Sequence, residues 1–98
     1  MFTGSLALDV RLGDVHSLKE KRAVVRPIVA ELRRRFEVAA AEAGHLDLHR
    51  RALIGVAVVA PDRGHCVEVL EAAERLVAGR PEIELVGSAV RYHSLEDD

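Results

Sequence analysis

From Ala52 to Ala60 the chain runs without a single polar side chain, and this stretch limits the fold more than any other. Ile54, Val56 and Val58 share one parity, and Leu53, Gly55, Ala57 and Val59 share the other. A strand that is apolar on both sides belongs in the middle of a sheet. It needs a strand on each side of it and a covering layer, so the segments around it decide the architecture.

Before it, Leu6, Leu8, Val10 and Leu12 alternate with Ser5, Ala7, Asp9 and Arg11, the pattern of a half-buried strand. Gly13-Asp14 ends that strand. Ser17 with Glu20 three residues on forms a capping box. Leu18, Val25, Ile28, Val29, Leu32 and Phe36 then share one stripe at about 100° per residue, which predicts a long amphipathic helix. Pro27 lies almost opposite the stripe, so a kink there bends the helix around its core; the alternative is a break at Arg26. Phe36 to Glu42 reads as an Ala-rich second strand, and a polar connection with Gly44 and His45 leads into Arg51–Ala60.

Pro61-Asp62 stops the apolar strand, and Asp62 can cap a second helix. Its buried face is Cys66, Val69, Leu70, Ala73, Leu76 and Val77, and Gly79-Arg80-Pro81 ends it. In the fourth strand, Glu82 to His93, Ile83 and Leu85 lie on one parity and Val90 and Tyr92 on the other. A bulge near Gly87-Ser88 reconciles them. Ser94 to Asp98 forms a short acidic tail that is expected to fray. Gly4, Gly13 and Gly64 read as turn or end residues.

The order strand, helix, strand, strand, helix, strand in 98 residues predicts one domain over residues 1–93. Two right-handed crossovers make it a ferredoxin-like split βαβ sandwich (α+β, βαββαβ), with four antiparallel strands and both helices on one face. That architecture hosts many unrelated activities, so it fixes none. No apolar run approaches the roughly 18 residues of a membrane span, so no membrane partner is expected. The first residues lack the basic and apolar regions of an export signal. Cys66 is the sole cysteine, which fits a reducing cytoplasm.

The strand ending Leu8-Asp9-Val10-Arg11-Leu12, a short loop and then Ser17-Leu18-Lys19-Glu20-Lys21-Arg22 together resemble the small bacterial YlxP-like family of unknown function. The likeness continues through Arg33-Arg34-Arg35-Phe36 and Ala41-Glu42. It resumes at His45-Leu46-Asp47-Leu48 and at Gly55-Val56-Ala57-Val58-Val59. The family commonly carries an aromatic after the Asp-Leu pair, where this chain has His49. The resemblance implies a ferredoxin-like domain in the bacterial cytoplasm, with no established catalytic residues to carry over. Its gene neighbours in transcription elongation, translation initiation and ribosome maturation imply a link to RNA or the ribosome.

Charge is unevenly spread. Between Ser17 and Phe36 seven Lys/Arg face two Glu, a net of +5 inside a chain of net -2. Lys19, Arg22, Arg26 and Arg33 fall within about 60° of one another, with Arg34 beyond and Lys21 in the same block. Guanidinium groups in a row suit a sugar–phosphate backbone, so Lys19, Lys21, Arg22, Arg26, Arg33 and Arg34 are the candidate nucleic-acid contacts. The competing reading pairs Arg22, Arg26 and Arg33 with Glu71 and Glu74 of the second helix. The face of the sheet away from the helices offers no aromatic ring for base stacking, so any RNA contact is expected to be helix-borne and directed at the backbone.

That same face carries Ala7, Leu53, Ala57 and Val59, an apolar patch suited to a protein partner or a homodimer. His45, Asp47 and His49, at alternate positions, form a weak metal set if the segment is extended. No cofactor, Gly-rich phosphate loop or nucleophile–base pair is evident, and Cys66 falls on an apolar helix face. The reading is a non-enzymatic cytoplasmic accessory protein binding ribosomal RNA or a ribosomal subunit. The alternative is an interaction module using the open sheet, and neither reading includes a small-molecule substrate.

Overall fold

The computed structural model describes residues 1–96. Its elements are β1 (Phe2–Leu12), α1 (Leu18–Arg35), β2 (Ala39–Gly44), β3 (Arg51–Ala60), α2 (Arg63–Ala78) and β4 (Ile83–Ser94). All strand pairs are antiparallel and the sheet order is β2-β3-β1-β4, the ferredoxin-like α+β arrangement. The doubly apolar β3 is an inner strand, as its pattern requires. No helix among the described residues is long and apolar enough to cross a membrane.

The core lies between the sheet and its helices. Leu6, Leu8, Val10 and Leu12 of β1 and Ile54, Val56 and Val58 of β3 are buried against Val25, Ile28 and Leu32 of α1 and Cys66, Leu70, Ala73 and Val77 of α2. Each fully buried aliphatic side chain stabilises the fold by about 1.5–3 kcal/mol. α1 runs unbroken through Pro27, which is exposed, so the backbone bond it cannot make is lost on the wet side of the helix.

Gly4 is not a turn residue. It sits inside β1 under α2, and a Cβ there would come within 2.7 Å of Leu70 Cδ1. The missing side chain is what lets α2 settle onto the strand. The parity switch in β4 is real: Asp9 pairs with Gly87 but Val10 pairs with Leu85, leaving Val86 as the extra residue of a bulge.

The limits of β2 and β4 move. Phe36 closes α1, its N–H donating to the Leu32 carbonyl at 3.0 Å, so β2 starts only at Ala39. At the other end Ser94 belongs to β4, and Leu95 N–H donates to the Met1 carbonyl at 2.9 Å. The start of the expected frayed tail is therefore paired, while Asp97 and Asp98 lie outside the described residues.

Candidate nucleic-acid interface and open sheet face

The helix start forms as its sequence predicts. Ser17 Oγ accepts from Glu20 N–H at 3.1 Å, and Glu20 Oε2 accepts from His16 N–H at 2.9 Å. The reciprocal bond of the capping box thus falls one residue upstream of Ser17 itself. The next residue of the block corrects the sequence reading. Lys21 is buried, with 1% of its surface exposed, and cannot meet a nucleic acid.

Its ammonium donates to the carbonyls of His45 and Leu48, both at 2.7 Å, and contacts Glu42 Oε2 at 2.7 Å. The Glu42 contact lacks hydrogen-bond alignment, and this buried oxygen has no other partner among the described residues. Lys21 therefore neutralises Glu42 at the end of β2 and holds the loop that leads to β3. The signal was in the helical phase: Lys21 stands four residues before Val25 and seven before Ile28, inside the apolar stripe.

Arg33 is also tied down. Its Nε and Nη2 donate to the Ala40 carbonyl at 2.9 and 2.6 Å, satisfying backbone on β2. Arg35 lies 3.5 Å from Glu31, whose other oxygen meets Arg80 beyond α2. Lys19, Arg22, Arg26 and Arg34 are exposed and have no ion-pair partner among the described residues. Lys19, Arg22 and Arg26 border a shallow groove with Ala23 and Pro27.

The expected pairing with Glu71 and Glu74 does not form. Arg63 of α2 lies 4.9 Å from the ring centroid of Tyr92 on β4. At 100° per residue Glu74 falls about 20° and Glu71 about 80° from Arg63, so both share the flank turned toward β4 and away from α1. The acids that would mask the ridge are on the far side of the molecule's second helix.

On the open face Ser5 pairs with Ala57 and Arg91, Ala7 with Gly55 and Ala89, and Ala39 and Ala41 continue the rows across β2. The result is a floor of small side chains, a shallow depression of about 660 Å³ bordered by Arg33 and Arg91. Of the predicted patch, Ala57 and Val59 are exposed, Val59 at 66%, whereas Ala7 and Leu53 are half-buried. Leu53 is covered by the Gly44 backbone, where a Cβ would come within 2.9 Å of Leu53 Cδ2.

Beside this floor Asp9 receives two hydrogen bonds from Arg51, at 3.1 and 2.5 Å, and His45 Nε2 lies 3.6 Å away. The Arg51 hydrogen bonds, more than the nearby His45, hold the Asp9 carboxyl below its ordinary range. His45 does not join Asp47 and His49. It takes a positive φ of 57°, and Leu48 N–H donates back to its carbonyl at 3.0 Å, so the segment is a turn. The extended geometry that would aim three ligands together is absent, and no group of three metal-ligating side chains gathers among the described residues. Cys66 is buried on the core face of α2, where its pattern put it.

A family model described as "Protein of unknown function (DUF503)" matches residues 3–90. The chain belongs to this family of uncharacterised proteins. Over 71 residues it is 35% identical to the uncharacterized protein YlxP of Bacillus subtilis (strain 168), covering 72% of this chain and 77% of that relative.

Proposed function

We propose that the protein acts by binding, without catalysis, and that the exposed side of α1 contacts the sugar–phosphate backbone of a structured RNA in the bacterial cytoplasm, ribosomal RNA being the foremost candidate. The observation that carries this reading is the unpaired state of Lys19, Arg22, Arg26 and Arg34 among the described residues. Three of them line one groove on one helix side, a spacing suited to successive phosphates. The absence of rings on the open sheet keeps the contact away from base stacking. Lys21 and Arg33, engaged with backbone carbonyls, leave the contact set, so it is smaller than the charge of the segment suggests.

The test is co-sedimentation with ribosomal subunits at low and raised salt, with Arg22→Glu/Arg26→Glu beside the wild type. Binding that weakens with salt and vanishes in the variant, at an unchanged melting temperature, is the expected result. Salt-insensitive binding, or binding untouched by the double reversal, overturns it.

The second reading, a protein partner on the open face, draws support from the exposed alanine floor. Small, flat apolar surfaces of this kind suit close backbone approach by another chain. Under that reading Ala57→Arg removes partner binding while the salt-dependent RNA association persists.

A further inference from the structure

β4 is an edge strand, and among the described residues nothing pairs with its outer edge. Proteins guard such edges with charges, prolines, bulges or a cover; β4 has neither Lys nor Pro, and its guards are one bulge and the charges of Glu84 and Arg91. It also leaves Val86 and Val90 exposed, at 38% and 46%. Its only irregularity is the bulge at Val86.

We infer that the edge of β4 pairs with the same edge of a second copy, antiparallel about a two-fold axis at Ser88, giving a continuous eight-stranded sheet. The argument is self-complementarity. Paired residues in an antiparallel ladder must face the same side of the sheet. In β4 the residues opposite the buried side chains of β1 are Ile83, Leu85, Ser88 and Val90, with Tyr92 opposite Gly4. Glu84, Gly87, Ala89, Arg91 and His93 face the open side.

With Ser88 opposite Ser88 and Val86 set aside in each copy, Gly87 meets Ala89, Leu85 meets Val90, Glu84 meets Arg91 and Ile83 meets Tyr92. Every pair matches in side, and Glu84, which Arg11 of its own chain already contacts at 3.2 Å, gains the Arg91 of the second copy as a further opposite charge. Moving the centre by one residue keeps the sides matched but loses the charge pair, setting Arg91 against Gly87 or Glu84 against Ala89. The bulge selects the charge pair. Counted straight through Val86, the same axis would set Arg91 opposite Leu85.

The partner is therefore a second copy of this chain, and the contact leaves both the α1 ridge and the open face free. Because a pair of this kind has its two-fold normal to the sheet, both ridges would lie on one side of the dimer.

The test uses charge exchange on the full chain, read by sedimentation equilibrium. The wild type is expected to be a dimer. Glu84→Arg sets Arg against Arg at both symmetric positions, and Arg91→Glu sets Glu against Glu, so each variant alone should associate at least about tenfold more weakly. Mixing the two variants restores both opposite-charge pairs and should restore the dimer. As a geometric check, Ser88→Cys should oxidise to a covalent dimer, since directly opposed residues lie within disulfide reach. The native Cys66 is buried and does not compete.

Both charged residues are exposed, and circular dichroism melts verify that the variants fold. A wild type that stays monomeric to high micromolar concentration overturns the proposal. So does a dimer indifferent to both reversals, or one broken by Ala57→Arg on the open face.

Discussion

The two edges of the sheet are built in opposite ways. β2 is short and fastened from outside: Arg33 reaches down from α1 to its Ala40 carbonyl, and Lys21 binds Glu42 near its end and the loop beyond. β4 is twice as long and is held by its ladder to β1 and by packing under α2. The difference shows how one basic helix is divided. Cations facing the β2 side are consumed in closing that edge, and those turned outward stay free. An edge that is closed by side chains cannot pair, and one that is left open can.

This contrast can be broken from the fastened side. The largest effect is expected from Lys21→Met, which leaves the buried Oε2 of the partly buried Glu42 without its cation and two carbonyls without a donor. A loss of roughly 3 kcal/mol is expected in denaturant titration. Hydrogen exchange should rise first in β2 and the 45–48 loop while β4 keeps its protection. Uniform exposure of both edges would erase the distinction drawn between them.

A smaller loss, about 1 kcal/mol, is expected for Arg33→Ala, because a partly exposed guanidinium is replaced by water at a single carbonyl. If thermal melts show no change, the Arg33 contact does not secure the edge, and the residue returns to the phosphate-binding set.

The smallest effect belongs to Asp9, which joins the β2-side loop to the centre of the sheet through Arg51 and His45. Its folded-state pKa is depressed, so its contribution is fully present above the ordinary value of 3.8 and disappears as pH falls through the lower folded value. The melting-temperature gap between wild type and Asp9→Asn should therefore close as pH drops below 3.8. A gap that is constant with pH would mean that the carboxylate charge contributes nothing.

The fold was legible because each element carried its own period. The alternation through Leu6–Leu12, the stripe from Val25 to Leu32 and the two-sided run Ala52–Ala60 leave few arrangements other than this one. Even the bulge showed itself, as a switch of parity between Leu85 and Val90. The limits of β2 were not legible, since alanine gives no strand signal and Phe36 serves the helix end instead.

The candidate contact surface was legible as a concentration of charge but not as a partition of it. Lys21 sits in the apolar phase, yet a lysine at such a position normally snorkels outward. What draws it inward is Glu42 and two carbonyls contributed from residues more than twenty positions later, a tertiary fact. Similarly, which flank of α2 carries Glu71 and Glu74 toward α1 depends on helix rotation, and Arg63 against Tyr92 reveals that only in three dimensions. Gly4 looked like punctuation because nothing local announces that another helix will press on it.

Cys66 makes this chain its own reporter. The molecule has no tryptophan and a single tyrosine, so its intrinsic fluorescence is poor, but its one thiol is sealed completely beneath the sheet. A thiol reagent can reach it only when α2 lifts or the whole domain opens. The rate of that labelling is a clock for opening, and it starts and stops at one sulfur atom. It works without tags or a known ligand, which suits a family of unknown function.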